Sequence, residues 1–265
     1  MRRLAVSLTL LALLACAGGN ETAPTSGAGG AATTTAATTA TNTTTTTSAT
    51  NGVTSGGGAE AHGAGYGALS GSCGEITLED LASPEPELLV NALDFSASPM
   101  FDESQLSAEG QAMIAKGNLG GSSLYSEIIA YEVLNRCDHA ALVKTEAEIV
   151  YATQSKKTDI LLAIDGEKVG VSVVRAMSFP EGAPYPVTQA FTVLHGKLAD
   201  ILLSSASVAP EDAWKKQILA VIAQTPEHAA AIADAYAMLD ATTKADTIVL
   251  VTVTEGTDKF IYYGK

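Results

Sequence analysis

An Asp-Gly step between two apolar, alternating runs restricts the fold of this chain more than any other local feature. Asp165-Gly166 separates residues 158–164 from residues 167–175. A two-residue turn of type I′ needs positive φ at both positions, and Asp-Gly is one of the pairs that supplies it. The sequence therefore predicts a β-hairpin in which Ile164 lies opposite Glu167.

The register of this hairpin assigns each side chain to a face, because successive residues of a strand point to opposite sides. Six apolar side chains share one face: Ile160, Leu162, Ile164, Val169, Val171 and Val173. On the other face, Asp159 lies opposite Ser172, and Lys157 lies opposite Val174. One face is thus expected to join a hydrophobic core, while the other carries polar groups.

Helix and strand signals surround the hairpin. Serine, threonine and proline at helix starts, together with helical periodicity, predict helices over 84–93, 107–116, 122–136, 187–198, 210–222 and 226–239. Alternating or β-branched runs predict strands over 142–151 and 247–253, and 259–263 is expected to pair with the second of these. Residues 201–205 either form a short strand or continue the preceding helix. The fold class is therefore α/β: a mixed sheet centred on the 158–175 hairpin, with flanking helices.

The first 72 residues differ in character from the rest. Arg2 and Arg3 precede an apolar run over 4–15, which is typical of a secretory signal and shorter than the roughly 20 residues of a membrane span. Residues 16–72 hold almost no large apolar side chains, and twelve of the twenty residues from 31 to 50 are threonine. Such a segment cannot build a core. It predicts a flexible, disordered tether, or alternatively a glycosylated mucin-like stalk.

The domain organisation expected from these features has three parts. Residues 1–15 form a signal peptide, residues 16–72 a Thr/Ala/Gly-rich linker, and residues 73–265 a single α/β domain. The last segment is long enough to bury a substantial core.

The end of the apolar run resembles the signal of a bacterial lipoprotein, since it reads Leu13-Leu14-Ala15-Cys16. The resemblance implies that Cys16 becomes the acylated first residue of the mature protein. It also implies export and a lipid anchor in the bacterial membrane, at the outer membrane or cell surface. The alternative is an ordinary signal peptide, cut at a nearby Ala-x-Ala-like site, with a chance cysteine.

The interpretation of the other two cysteines depends on whether Cys16 is lipidated. If Cys16 is lipidated, Cys73 and Cys137 remain as a pair in an oxidising compartment. They then form either a disulfide or two buried thiols. A disulfide would tie the start of the domain to the end of a helix.

Net charge argues against nucleic acid as a partner. Arg2 and Arg3 balance Glu21 and Glu60, so the charge of −14 belongs entirely to the residues from 73 onward. Such a domain repels polyanions at long range and does not suit a bulk DNA or RNA binder. Histidines and cysteines also lack the spacing of a zinc site.

One stretch resembles the core of the PD-(D/E)xK nuclease superfamily: a helix, a strand, an Asp-bearing strand, a hairpin, a Gly-Val-x-Val-x-Arg strand and a helix. It covers roughly residues 122–205, less than half of the domain. The resemblance implies a restriction-endonuclease-like core in which Glu127 and Asp159 hold Mg²⁺ and a lysine helps to position the attacking water. The third strand reads Ser172-Val173-Val174, so both the family's metal-binding Glu and its catalytic Lys are replaced.

Two other lysines are candidates for the missing ammonium group. Lys157 lies opposite Val174 in the predicted register, and Lys197 lies on the following helix, whereas Arg175 points to the other face. The alternative is that both lysines are solvated surface residues, which greatly outnumber functional lysines. Similarly, Glu127 is equally explained as an exposed helix acid, and Asp159 as a hydrogen-bonding partner within the sheet.

Two classes of function follow. The first is a membrane-anchored, non-catalytic domain that needs no cofactor and binds an unidentified protein or small molecule, or has a structural role. The second is a Mg²⁺-dependent phosphodiesterase with rearranged catalytic residues Glu127, Asp159, Lys157 and Lys197.

Overall fold

The computed structural model describes residues 66–96 and 101–263. These residues all belong to one compact unit. The predicted signal peptide, Cys16 and the threonine-rich tract lie outside the described residues. Within the described part, no helix combines the length and the hydropathy needed to cross a bilayer.

The described residues form one mixed sheet in the strand order β1-β2-β7-β6-β5-β4-β3. The strands are β1 (Ala68–Gly71), β2 (Glu87–Asp94), β3 (Ala141–Thr145), β4 (Ile160–Ile164), β5 (Glu167–Ala176), β6 (Lys216–Ala223) and β7 (Ile248–Glu255). The four central strands β2, β7, β6 and β5 are parallel. On one side, β1 pairs antiparallel with β2. On the other side, β4 pairs antiparallel with β5, and β3 pairs antiparallel with β4.

Helices cover both faces of the sheet, as expected for the α/β class. They are α1 (Leu78–Ala82), α2 (Ala108–Lys116), α3 (Leu124–Asp138), α4 (Val187–Ser207), α5 (Pro226–Met238), α6 (Ala241–Lys244) and α7 (Lys259–Tyr263). The core on one face includes α3 and the apolar side of the hairpin, and the core on the other includes α4 and α5. The predicted class, a mixed sheet flanked by helices, is confirmed.

The hairpin has the predicted register. Ile164 pairs with Glu167, and the ladder ends where Ile160 pairs with Val171. Asp165 and Gly166 have φ of 49° and 84°, the positive values that a type I′ turn needs. All six side chains of the predicted apolar face lie in the core beside α3.

Two strands were expected to be helices, and both predictions are wrong. Residues 210–222 contain most of β6, whose eight residues are all buried. A parallel strand covered on both faces has no alternation of apolar and polar residues, so its pattern does not distinguish it from a buried helix. Residues 84–93 likewise contain most of β2, which pairs with β1 on one side and β7 on the other.

Two other elements also differ from the expectation, and the alternative left open for residues 201–205 is resolved as helix. Residues 259–263 form α7 rather than a strand beside β7, because β2 and β6 already occupy both edges of β7. Residues 201–205 continue α4. The strand expected to reach residue 151 stops at Thr145, where the N–H of Thr145 donates to Glu148 Oε2 (2.9 Å) in a turn.

The folded unit begins before the predicted boundary at residue 73, because β1 already belongs to the sheet. Cys73 follows this strand closely. Its Sγ is bonded to that of Cys137, in the last turn of α3. The bridge ties the start of the sheet to the end of the helix that carries Glu127.

Candidate functional site

A cleft of about 380 Å³ opens at the edge of the sheet where β5 ends and β4 begins, and we refer to it as the Asp159 cleft. Antiparallel pairing places the start of β4 beside the end of β5. The cleft is lined by Ser123, Ser126, Glu127, Asp159, Val173, Val174, Arg175, Met177 and Lys197. Three of the four candidate catalytic residues, Glu127, Asp159 and Lys197, therefore meet at one place.

Lys157 does not join them. The β4–β5 ladder ends at Ile160, so the predicted pairing of Lys157 with Val174 is not formed. Lys157 lies in the exposed segment before β4, and it is absent from the cleft lining. The structure thus supports its interpretation as a solvated surface lysine.

Asp159 is held by the backbone of β5. Val173 lies beyond the last β4–β5 pair, and its N–H donates to Asp159 Oδ2 at 2.6 Å. Burial raises the pKa of the Asp159 carboxyl to about 7, and the nearby negative charge of Glu127 adds to this rise. Asp159 is thus a hydrogen-bonding partner within the sheet, and it also faces a second carboxylate across the cleft.

Glu127 is buried, with 4% of its surface exposed. Its Oε1 accepts hydrogen bonds from Asn118 Nδ2 (2.6 Å) and Ser123 Oγ (2.7 Å). Burial raises its pKa, although these two hydrogen bonds act in the opposite direction. The interpretation of Glu127 as an exposed helix acid is therefore wrong.

Two cationic side chains contribute to the Asp159 cleft. Lys197 is half-buried on α4, and its positive charge lowers the pKa of both carboxyl groups. Arg175 was expected to point to the other face, yet it also lines the cleft. Its Nη1 donates to the carbonyl oxygens of Ser122 (3.1 Å) and Tyr262 (2.8 Å), so the guanidinium joins the turn before α3 to α7.

The two carboxylates provide a limited set of metal ligands. Each has one oxygen, Glu127 Oε1 or Asp159 Oδ2, that already accepts from a protein donor. Mg²⁺ commonly binds one or two carboxylates and keeps several waters, so the ligand type suits it. Across the described ranges, however, no three His, Cys, Asp or Glu side chains are grouped closely enough to hold a metal ion.

Sequence reasoning missed the two donors that hold Glu127. Ser123 is recoverable, because it lies four residues before Glu127 and thus on the same side of α3. Asn118 lies in the glycine-rich connection between α2 and α3, where no periodicity assigns a direction to a side chain. Its role becomes visible only in the folded structure.

Comparison with known proteins adds little about activity. No protein-family model matches the chain, and no solved structure matches it. The chain is similar to the "AAC-rich mRNA clone AAC4 protein" of Dictyostelium discoideum, with 36% identity over 186 residues. The match covers 68% of this chain but 25% of the relative, so the chain spans about a quarter of the length of that protein. The relative's name states no activity and no ligand.

Proposed function

We propose that the protein is a lipoprotein that displays its α/β domain at a membrane, and that the Asp159 cleft binds a ligand without cleaving it. One observation carries the second part: both acids of the cleft accept hydrogen bonds from protein donors, and the two positions of β5 that correspond to the family's Glu and Lys hold neither an acid nor a lysine. Val173 donates to Asp159, while Asn118 and Ser123 donate to Glu127. The positions of the family's Glu and Lys are Ser172 and Val174.

Burying the two carboxylates of the cleft nevertheless lowers the stability of the folded protein, and this cost indicates a function. Burial raises the pKa of both Glu127 and Asp159, which means that their charged forms are disfavoured in the folded protein. Groups of this kind cluster at binding and catalytic sites, where a ligand compensates for the unfavourable environment. A small molecule or protein side chain that donates hydrogen bonds or carries positive charge fits two carboxylates in a cleft of this size.

A second candidate is the phosphodiesterase, favoured by the position of Lys197. The element order α3-β3-β4-β5-α4 is the order on which the nuclease resemblance rests. In this proposal Glu127 and Asp159 would hold Mg²⁺, which supplies positive charge to a phosphate when bound. Lys197, rather than Lys157, would stabilise the negative charge that develops on the phosphate oxygens.

Titration with metals and a cleavage assay separate the two candidates. We expect no cleavage of single- or double-stranded DNA or RNA in the presence of Mg²⁺ or Mn²⁺, and no heat of metal binding in calorimetry. The physical reason is the small number of free carboxylate oxygens together with the net charge of −14, which repels polyanions.

Matched variants identify the source of any cleavage that is observed. Cleavage that is lost in both Asp159→Ala and Lys197→Ala, yet kept in Lys157→Ala, would establish the phosphodiesterase. Lys157 is a suitable control because it lies outside the cleft lining. Cleavage that survives Asp159→Ala would come from a contaminant or another site.

Anchoring depends on Cys16. Because acyl chains on this residue would hold the protein in a bilayer, Cys16→Ser should move the protein from the membrane fraction to the soluble fraction. Immunoblotting of both fractions measures the shift, and Ala17→Ser is a control that keeps the cysteine. Wild-type protein found in the soluble fraction without detergent would rule out the lipid anchor.

A further inference from the structure

A second cleft, of about 450 Å³, opens at the carboxyl ends of the neighbouring parallel strands β5, β6 and β7, and we refer to it as the Asp258 cleft. Its lining includes Glu181 after β5, Thr225 and His228 after β6, and Asp258 after β7. Open α/β sheets bind ligands outside this edge, and the volume falls within the range of small-molecule sites, about 300–1,000 Å³. Among the residues that the structure describes, none lines both this cleft and the Asp159 cleft.

Asp258 contributes a carboxylate to this cleft although the residue is buried, with 8% of its surface exposed. Burial raises the pKa of the carboxyl group, which means that its charge is poorly solvated. Thr254 Oγ1 donates to one carboxylate oxygen, Oδ2, at 2.5 Å. In the described part of the chain, no side chain donates to the other oxygen, Oδ1. Asp258 therefore keeps one carboxylate oxygen available to a ligand.

A chain of two hydroxyl groups determines which oxygen of Asp258 is engaged. Thr254 Oγ1 lies 2.6 Å from the hydroxyl oxygen of Tyr262 as well as 2.5 Å from Asp258 Oδ2. An ionised carboxylate can only accept, so the single hydroxyl proton of Thr254 points to Asp258, and the Tyr262 hydroxyl donates to Thr254. Burial raises the pKa of Tyr262, so its hydroxyl keeps the proton that it donates. Both hydroxyl groups lie on buried residues, and the carboxylate is thus held in a fixed orientation.

The charge of Asp258 is not compensated by a counter-ion within the described residues. Glu181 and Lys259 act on its pKa in opposite directions, and these two side chains are paired with each other at 2.8 Å. Glu255 adds a further carboxylate to the lining. Burial lowers the pKa of His228 below its ordinary value, so the imidazole is neutral at pH 7 and adds no positive charge. The described lining thus carries three carboxylates against one ammonium group.

Helix α5 begins at this cleft, yet its first turn does not offer a site for an anion. Pro226 has no N–H, and the N–H of His228 donates to Thr225 Oγ1 at 3.3 Å. Both ring nitrogens of His228 are also engaged, Nε2 with Ser178 Oγ (3.0 Å) and Nδ1 with Thr225 Oγ1 (2.8 Å). An anion would therefore meet three carboxylates and find these donors occupied.

We propose that the Asp258 cleft binds a small molecule through a primary ammonium group, with Asp258 Oδ1 as its principal acceptor. An ammonium is a compact charge that needs one oxygen, whereas the planar fork of a guanidinium is matched to two. A quaternary ammonium is a poorer fit, because no aromatic ring is found in the described lining to stack on it. This binding is independent of the ligand proposed for the Asp159 cleft.

NMR titration of the full chain at pH 7 with n-butylamine and three analogues tests the assignment. We expect saturable binding of n-butylamine. We expect binding weaker by about tenfold or more for n-butanol, which lacks the charge, and for tetramethylammonium, which lacks N–H donors; this is the effect of losing one charged hydrogen bond. Binding of n-butylguanidine should also be weaker than that of n-butylamine, because Thr254 occupies the second oxygen of Asp258.

Variants locate the site. Asp258→Asn should weaken the binding of n-butylamine by about tenfold or more, because the acceptor loses its charge. Asp234→Asn is the matched control: it removes the same charge from an exposed position of α5, and its affinity should equal that of wild type.

Three results would overturn the proposal. The first is an absence of saturable binding of n-butylamine to the wild-type protein, and the second is binding no tighter than that of n-butanol or tetramethylammonium. The third is binding that is lost in Asp159→Asn and kept in Asp258→Asn, which would place the amine in the Asp159 cleft. Because the first two results need only wild-type protein, the test holds even if Asp258→Asn does not fold.

Discussion

At pH 8, Asp159→Asn should increase the free energy of unfolding by about 2–4 kcal/mol. The pKa of Asp159 is raised from 3.8 to about 7, so the folded state binds this proton more tightly than the unfolded state. The carboxylate therefore imposes no penalty below about pH 4, a growing penalty as the pH rises toward 7, and the full penalty above 7. Each unit of pKa corresponds to about 1.4 kcal/mol. The amide of asparagine removes the charge, and its oxygen can still accept from Val173.

Urea unfolding at several pH values measures this effect. The gain in stability over wild type should shrink as the pH falls from 8 to 4. Asp234→Asn is the control, because Asp234 is exposed on α5, and we expect a change within about 0.5 kcal/mol throughout. A loss of stability at pH 8 in Asp159→Asn would show that the ionised carboxylate is a structural requirement, and it would weaken the case for a ligand.

The second large effect concerns the bridge between β1 and α3. The double variant Cys73→Ser/Cys137→Ser should lose about 4 kcal/mol of stability, because the bridge closes a loop with a sequence separation of 64. An open loop of this length gives the unfolded chain more conformational freedom, which favours unfolding.

Reduction of the wild-type protein provides the comparison for that variant. Dithiothreitol should lower the urea midpoint of wild type to that of the double variant and should leave the double variant unchanged. Equal midpoints of oxidised wild type and double variant would contradict the expected stabilisation.

The features that could be predicted from sequence are those set by local chemistry. Asp165-Gly166 fixes a turn and therefore the register of β4 on β5. Ser107 caps α2, with its hydroxyl accepting from Gly110, and Thr225 caps α5 in the same way. In each case a short polar or flexible residue acts on backbone groups within three positions of itself, so no knowledge of the rest of the chain is needed.

The features that could not be predicted depend on distant partners. β6 is buried on both faces, and the choice between strand and helix is made by β5 and β7 on its two sides. The same holds for α7, which is helical because β7 has no free edge. Sequence periodicity indicates which faces of an element are buried. It does not indicate which strand edges are already paired with neighbouring strands.

The candidate site was predicted in part. Glu127, Asp159 and Lys197 converge because α3, the hairpin and α4 meet at one end of β5. Lys157 was misplaced because the register was extended beyond Ile160, where the ladder ends.

The pairing of β2 with β7 has a consequence for how the domain is made. These strands join over eight residue pairs, from Glu87 with Ile248 to Asp94 with Glu255, although they lie near opposite ends of the folded unit. During synthesis the β1–β2 ribbon therefore has no permanent neighbour until almost the whole domain has been translated. Contacts between such distant segments slow folding and leave unpaired strand edges exposed for longer. A chain of this topology is thus most vulnerable to aggregation late in its synthesis, just before its last strand is added.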